Sequence, residues 1–318
     1  MTEPLNKTST QVVYTTPEMR TLIFDNPPDA YPINRYQSLL LANAAHLEAI
    51  EVSLRSAKPL AAMSAIEICC GGGPAALTLK DLGIGFVGAS DIQAASLARL
   101  QNNAALNGLA LDSVRLGSGL SQWQGAQPWI DLIACNPPCL PGKLVDQRLP
   151  PALRTAMQGG AGGAELLFEL FDALDQLLTP YGRFTFVITS MMDFKSVQAL
   201  MHARFAGRWR VSPGTPVAAP YCRTDHPVAA RLLQLRDAAE VSVWRGDDGW
   251  IWRLTWVATV VGNHDKIHGT QAHFSLYPFG YGPMAEDYLA ALTIFDWPLP
   301  ANPMPQIVCS QRVADHQT

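Results

Sequence analysis

The sequence contains no run of 18 or more apolar residues, and its first ten residues lack the charged and apolar regions of a signal peptide. Basic residues are not in excess either, because 23 Lys and Arg stand against 27 Asp and Glu and leave a net charge of −4. Phosphate backbones bind surfaces rich in Lys and Arg, so long nucleic acid is disfavoured as a partner. We therefore predict a cytoplasmic protein with no membrane span.

The six cysteines lack the spacing of a zinc site or of a disulfide framework, so we expect reduced thiols and no bound metal. Cys222 and His226 are near each other in the sequence, but two further nearby ligands are lacking. With 48% hydrophobic content, 318 residues can form one large domain with extensions or two small domains.

The segment 66–74 (IEICCGGGP) predicts a short buried strand that runs into a glycine turn and then into a helix. This combination forms a nucleotide cradle, although many ordinary tight turns carry similar glycines. The next predicted strand, 85–90, ends at Asp91, twenty residues after Gly71. A carboxylate at this spacing can accept both hydroxyl hydrogens of a ribose, which we favour over a helix cap.

The apolar segment 129–135 predicts another strand, which stops at Asn136-Pro137-Pro138. The prolines end the strand and restrict the backbone around Asn136. An amide side chain and a rigid neighbouring carbonyl can accept the two hydrogens of an amino or amide nitrogen and aim its lone pair at an electrophile. A plain loop after a strand is the alternative interpretation.

Taken in this order, the motifs resemble those of class I S-adenosylmethionine-dependent methyltransferases. The matching branch has an Asn-Pro-Pro motif and includes release-factor glutamine methyltransferases (HemK-like) and N-methyltransferases of RNA and DNA. The resemblance covers roughly residues 32–261 and rests on 67–73, Asp91, 102–108 (NNAALNG), 136–138 and the glycine run 159–163 (GGAGG).

This resemblance implies an α/β fold with a Rossmann-like, doubly wound, mainly parallel sheet of seven strands and an antiparallel C-terminal hairpin. It implies S-adenosylmethionine as cofactor and a catalytic role for Asn136 and Pro137. The cofactor contacts that it implies are Glu67, Cys69, Gly71, Gly73, Asp91, Ile92, Ser118 and Asn136.

Three departures from the family pattern bear on the methyl acceptor. Cys139 replaces the aromatic residue that follows Asn-Pro-Pro, so a planar base or amide lacks its stacking surface. The acidic residue that contacts adenine is absent from 114–120, where Ser118 or a backbone amide can serve, and the glycine run lacks its Asp. Because about 60 residues precede the glycine turn, we also expect no counterpart of the helical bundle that grips a release factor. These differences favour a polar small molecule as acceptor, methylated on nitrogen or sulfur.

By the same resemblance, the segment that leads into a helix at 39–54 helps to shape the acceptor pocket; a helix entrance with a solvated Arg is the alternative. Residues 212–237 are predicted to be a lid inserted before a hairpin at 241–244 and 250–260. The predicted substrate-binding residues are Tyr31, Arg35, Tyr36, Gln37, Pro138, Cys139, Tyr221, Arg223 and His226.

We predict an N-terminal cap segment over 1–60, frayed at 1–16, a methyltransferase core over 61–261 and a C-terminal extension over 262–318. Helices are expected at 94–106, 164–178 and 196–205. The extension is rich in His and aromatic residues, which would pack on the N-terminal segment or on a second subunit of a homodimer. Two other functions stay open: N-methylation of a protein glutamine or nucleic-acid base, and a non-catalytic binding subunit.

Overall fold

The computed structural model describes residues 10–27, 30–125, 129–212, 217–238 and 240–264. Its first element is an antiparallel hairpin of β1 (Thr10–Thr15) and β2 (Thr21–Asn26). Leu22 and Phe24, alternate residues of β2, are buried in the core and hold the hairpin against it. The predicted fraying is therefore wrong for 10–16, while residues 1–9 lie outside the described part.

Five helices of the described residues were predicted and lie close to their expected positions, whereas those at Pro151–Met157 and Pro227–Asp237 were not predicted. In the described residues they are α1 (Ser38–Ser56), α2 (Pro74–Asp81), α3 (Ala94–Leu106), α4 (Pro151–Met157), α5 (Glu165–Leu177), α6 (Phe194–Arg204) and α7 (Pro227–Asp237). The bounds of α3 agree with the prediction at both ends, and those of α1, α5 and α6 agree within two residues. Each of these four helices buries one side in the apolar core on a face of the sheet.

Five parallel strands form the centre of the sheet. They are β3 (Ser64–Ile68), β4 (Phe86–Asp91), β5 (Ser113–Leu116), β6 (Ile130–Cys135) and β7 (Leu178–Thr189). Their order across the sheet is β5-β4-β3-β6-β7, so the chain reverses its direction of winding at β3. This confirms the predicted Rossmann-like α/β fold.

Both faces of the parallel sheet are covered by helices, which explains why its strands read as continuous apolar runs. Ala65 faces the core that includes α1 and α2, whereas Ile66 and Ile68 face the core that includes α5 and α6. Because successive side chains of a strand alternate between faces, Glu67 lies on the same side as Ala65. This places its carboxyl group beside the beginning of α2.

The antiparallel end of the sheet is organised by one long strand, β11 (Trp250–Val261). It pairs with β7 and with three short strands: β8 (Trp209–Val211), β9 (Val217–Arg223) and β10 (Val243–Arg245). The β10–β11 pair is the hairpin that the sequence predicted. The sheet of the described residues has nine strands, two more than the seven expected from the family resemblance.

The segment predicted as a lid is built into the body of the protein. β9 is hydrogen-bonded along β11, and α7 buries Ala229, Leu232 and Leu235 in an apolar cluster with residues of β10 and β11. A strand inside a sheet and a helix packed on its core cannot move as a lid without breaking these contacts. Of the predicted C-terminal extension only 262–264 are described, so the expectations about its packing and about a homodimer lie outside the described residues.

Candidate functional site

A cavity of about 570 Å³ opens at the carboxyl ends of β3, β4 and β6. It coincides with the reversal of strand order at β3, where doubly wound sheets bind their ligands. The predicted site residues that line it are Tyr31, Glu67, Cys69, Gly71, Asp91, Ile92, Ser118, Asn136, Pro137, Pro138, Cys139 and Tyr221.

The turn after β3 is tight and uses left-handed backbone angles at three positions. Cys69 has φ of 55°, Gly71 has φ of 52°, and Gly73, the N-cap of α2, has φ of 78°. Gly73 does not line the cavity. A Cβ on Gly73 would lie 2.0 Å from Cδ1 of Leu100, so this glycine allows the start of α2 to pack against α3.

Asp91 connects the glycine turn to the end of β4. Its Oδ2 accepts a hydrogen bond from the backbone N–H of Gly71 at 2.9 Å, and its Oδ1 accepts one from Gln93 at 2.9 Å. The carboxylate therefore orders both loops and also lines the cavity. Since a carboxylate has about four acceptor positions, it retains capacity for the hydroxyl groups of a ligand.

Glu67 is a buried carboxyl group beneath the same turn. Its Oε2 accepts a hydrogen bond from the backbone N–H of Ala76, in the first turn of α2, at 2.7 Å. Burial raises the pKa of Glu67 to about 8, against the opposing effect of the helix N–H groups, and the charge of Asp91 adds to the increase. At neutral pH Glu67 is therefore mainly protonated.

Asn136 follows directly after β6 and presents an acceptor without a partner. Its Oδ1 is buried and forms no hydrogen bond with any described residue. A buried polar atom left in this state costs about 1–3 kcal/mol. Such an atom beside a cavity is typical of a site where a ligand supplies the missing donor.

The glycine run 159–163 is hydrogen-bonded to the loop that follows the Asn-Pro-Pro motif. The N–H of Gly159 donates to the carbonyl of Leu140 at 2.9 Å. Glu165, at the start of α5, accepts from the N–H groups of Gly162 at 2.8 Å and Ala164 at 2.9 Å and also lines the cavity. The sequence analysis missed Glu165, although an acidic residue next to a glycine run at a helix start was a usable signal.

Gln37 lies behind the cavity wall instead of in it. It is 1% exposed, and its Oε1 accepts hydrogen bonds from the hydroxyl of Tyr31 at 2.8 Å and from Nη2 of Arg253 at 3.0 Å. Its Nε2 lies 3.8 Å from Sγ of Cys139. Gln37 therefore joins the segment before α1, the Asn-Pro-Pro loop and β11.

Four predicted substrate-binding residues lie away from the cavity. The exposed Arg35 stacks on the half-buried ring of Tyr36, and neither lines the cavity. Arg223 donates to the carbonyl of Asp248 at 3.2 Å, and His226 caps α7 by accepting from the N–H of Val228. Arg223 therefore supports the turn of the β10–β11 hairpin and His226 the start of α7, and neither lines the cavity.

Two buried arginines that line the cavity were not predicted, Arg99 on α3 and Arg253 on β11. Nη1 of Arg99 donates to the carbonyl of Tyr31 at 3.0 Å. The guanidinium group of Arg253 lies 5.4 Å from the ring centre of Tyr221. The only signal for Arg253 was a charged residue inside the otherwise apolar strand Trp250–Val261.

Within the described ranges, no group of three or more His, Cys, Asp or Glu side chains could hold a metal ion. Nor does any helix described here combine the length and apolar character that a bilayer crossing requires.

No model of a known protein family and no curated protein matches this sequence. Among solved structures, it is similar to a ribosomal protein L11 methylase from Lactobacillus delbrueckii subsp. bulgaricus, with 18% identity over 67% of this chain and 78% of that one and a TM-score of 0.37. It is also similar to the T. thermophilus 16S rRNA N2 G1207 methyltransferase, whose structure contains AdoMet and guanosine. That match has 15% identity over 81% of this chain and 52% of that one, with a TM-score of 0.44, so this chain spans about half its length. At these identities the likeness concerns the fold.

Proposed function

We propose that this protein is an S-adenosylmethionine-dependent methyltransferase that transfers a methyl group to a nitrogen, or a sulfur, of a polar small molecule. The observation that carries this proposal is the convergence of three features on one cavity: the glycine turn after β3, Asp91 after β4 and Asn136 after β6. Each follows a different parallel strand at the reversal of the sheet, where nucleotides bind in folds of this type.

The residues present fit this cofactor. Asp91 has acceptor capacity left for the two ribose hydroxyl groups, and the glycine turn allows close approach of the methionine part. Ser118 lines the cavity beyond β5 and would contact the adenine. Asn136, beside this cofactor site, carries an unpartnered acceptor that the amino or amide group of the methyl acceptor would satisfy.

When bound, S-adenosylmethionine supplies a methyl group on a positively charged sulfur: the lone pair of the acceptor forms the new bond to carbon, the carbon–sulfur electron pair returns to sulfur, and a nitrogen acceptor then releases a proton. The role of this chain is to position the acceptor. Oδ1 of Asn136 and the carbonyl of Pro137 would accept two hydrogens of the acceptor nitrogen and direct its lone pair. The prolines limit backbone rotation, so little reorganisation is needed.

A second candidate is N-methylation of a protein glutamine or nucleic-acid base, and one structural observation favours it. Cys139 lacks an aromatic surface, but Tyr31 and Tyr221 line the same cavity. Either ring can contact a planar group. A planar acceptor therefore has aromatic contacts that were not evident from the Asn-Pro-Pro-Cys sequence.

The decisive experiment is methyl transfer from isotope-labelled S-adenosylmethionine into a cell extract that is then separated into small metabolites, protein and RNA. We expect label in the small metabolites, with a loss of at least about 100-fold for Asn136→Ala because mispositioning of reacting groups has effects of this size. Asn102→Ala, at an exposed position of α3, is the matched control. Label in protein or RNA would support the second candidate.

Cofactor binding is measured separately by calorimetry, so that a non-catalytic subunit can be recognised. Asn136→Ala should still bind S-adenosylmethionine, whereas Asp91→Asn should weaken binding roughly 10-fold, since it removes the charge from the ribose contacts. Cofactor binding without Asn136-dependent transfer to any fraction would support a non-catalytic role, and absence of binding by the wild-type protein would refute the proposal.

A further inference from the structure

Arg253 lies at the catalytic edge of the sheet although it belongs to a strand that runs in the opposite direction. Thr255 of β11 pairs with Thr189, the last residue of β7. Because β11 is antiparallel, the residues before Thr255 extend beyond the carboxyl end of β7. Arg253 is 6% exposed and lines the cavity there.

The positive charge of Arg253 is surrounded by neutral groups. The described hydrogen-bond partners of its side chain are Oε1 of Gln37, the hydroxyl oxygen of Tyr31 and, at 4.0 Å, the weak acceptor Sδ of Met191. Its Nε is buried and has no hydrogen-bond partner, and no described carboxylate forms an ion pair with it. Arg183, the equally buried arginine of β7, contrasts with it by pairing with both Glu48 and Glu51.

A buried guanidinium without a carboxylate is costly, because burial removes the water that would stabilise its charge. Such a cost is offset when a ligand brings the opposite charge. The planar fork of an arginine is suited to a carboxylate or a phosphate, each of which accepts two parallel hydrogen bonds.

Arg253 lies at the end of the cavity that is formed by the Asn-Pro-Pro loop, which we call the acceptor end. An anionic ligand of Arg253 would therefore bind at this end. Gln37 connects Nη2 of Arg253 to Cys139, which directly follows the Asn-Pro-Pro motif. The other buried arginine that lines the cavity, Arg99, lies beside the glycine turn, with Nη2 3.2 Å from where a Cβ on Gly71 would be. One buried arginine of the cavity thus lies beside the glycine turn, and the other lies at the acceptor end.

We propose that Arg253 binds an anionic group, a carboxylate or a phosphate, of the methyl acceptor. This inference rests on the proposed function, because it specifies the acceptor class of the same site. The hydroxyl of Tyr31 and the ring of Tyr221 contact Arg253 and limit the space around its guanidinium group, so we expect the anionic group and the methylated atom to belong to one compact molecule.

The anion site is tested without knowledge of the acceptor by NMR of the full chain labelled with 15N. Because Nε of Arg253 is buried, its N–H exchanges slowly and gives an observable signal, which is assigned by its loss in Arg253→Lys. We expect a saturable shift of this signal with acetate or inorganic phosphate. Acetamide, the uncharged analogue of acetate, and chloride at equal ionic strength should cause no such shift. The relative affinities of acetate and phosphate identify the anion class.

Arg245→Lys, at an exposed position of β10, is the control variant and should leave the response unchanged. Absence of a saturable shift with both anions, or an equal shift with acetamide, would overturn the proposal. If the protein shows a saturable response to anions but transfers no methyl group, the anion site is supported and the proposed function is refuted.

The role in methyl transfer is tested on the product labelled in the extract. We expect mass spectrometry to find a carboxyl or phosphoryl group in this product, and Arg253→Gln to lower kcat/KM for its precursor roughly 10- to 100-fold, as expected for loss of a charge-assisted hydrogen bond. The affinity for S-adenosylmethionine should not change. A labelled product without an acidic group would contradict the proposal.

Discussion

Glu67 is a carboxyl group whose charge is suppressed by its surroundings. Burial raises its pKa to about 8, above the usual value of 4.5, so the folded protein keeps a proton that the unfolded chain has lost at intermediate pH. The contribution of Glu67 to the free energy of unfolding is therefore fully present below about pH 4.5 and is lost as the pH rises to 8.

Glu67→Gln should remove this pH dependence, because the amide carbonyl still accepts from the N–H of Ala76 but does not titrate. We expect the difference in free energy of unfolding between wild type and variant to change by up to about 1.4 kcal/mol per pH unit inside that interval. Urea denaturation at pH 5.5, 6.5 and 7.5 measures it. Parallel stability curves would show that Glu67 is ionised in the folded protein.

Arg253 shows at the residue scale why the sequence analysis left the acceptor open. Its partner Gln37 is 216 residues away in the sequence, and neither residue has a local motif around it. Asn136 and Asp91, in contrast, follow directly after predicted strands, so their positions at the carboxyl edge could be predicted from local patterns alone.

At the scale of elements, the glycine turn is constrained by packing as well as by backbone conformation. Gly73→Ala would introduce a Cβ at φ of 78° and 2.0 Å from Cδ1 of Leu100. The left-handed conformation costs about 1–2 kcal/mol and the overpacking about 1–3 kcal/mol, so we expect a total loss of about 3 kcal/mol in the free energy of unfolding.

Gly108→Ala is the matched control, because Gly108 also has a left-handed φ, of 64°, but its Cβ would meet nothing within 4 Å. This variant should lose only about 1 kcal/mol, the backbone part of the cost. Urea denaturation of both variants separates the two contributions. Equal losses would mean that α2 and α3 move apart without cost.

The segment 212–237 shows the limit of sequence analysis for elements. Its polar residues suggested a lid, but β9 pairs along β11 and α7 joins an apolar cluster. Short edge strands have weak local patterns, since their stability comes from pairing with a neighbour that is distant in the sequence. Among the described residues of the predicted lid, which exclude 213–216, Tyr221 alone lines the cavity.

At the scale of the whole molecule, a buried ionic cluster links α1 to the sheet. Glu48, 3% exposed, contacts Arg183 of β7 and Arg210 of β8, and Glu51 contacts the same two arginines. Glu48→Ala should lower the free energy of unfolding by about 3–5 kcal/mol, because two guanidinium groups lose a buried carboxylate.

Glu51→Ala provides the comparison within the same cluster. Its side chain is 27% exposed, so water screens the arginines after its removal and a loss of about 1 kcal/mol or less is expected. Urea denaturation at neutral pH compares the two variants. Losses of equal size would show that solvent reaches the whole cluster.

Local patterns were enough to predict the alternation of strands and helices, the glycine turn, Asp91 and Asn136, because these depend on local chemistry: side-chain preferences, the freedom of glycine and the rigidity of proline. That β9 joins the sheet and that Arg253 reaches the acceptor end of the cavity became evident from the folded chain. Both results depend on contacts between segments that are distant in the sequence. These contacts stabilise the fold because they bury apolar surface and at the same time pair the backbone N–H and C=O groups that leave water.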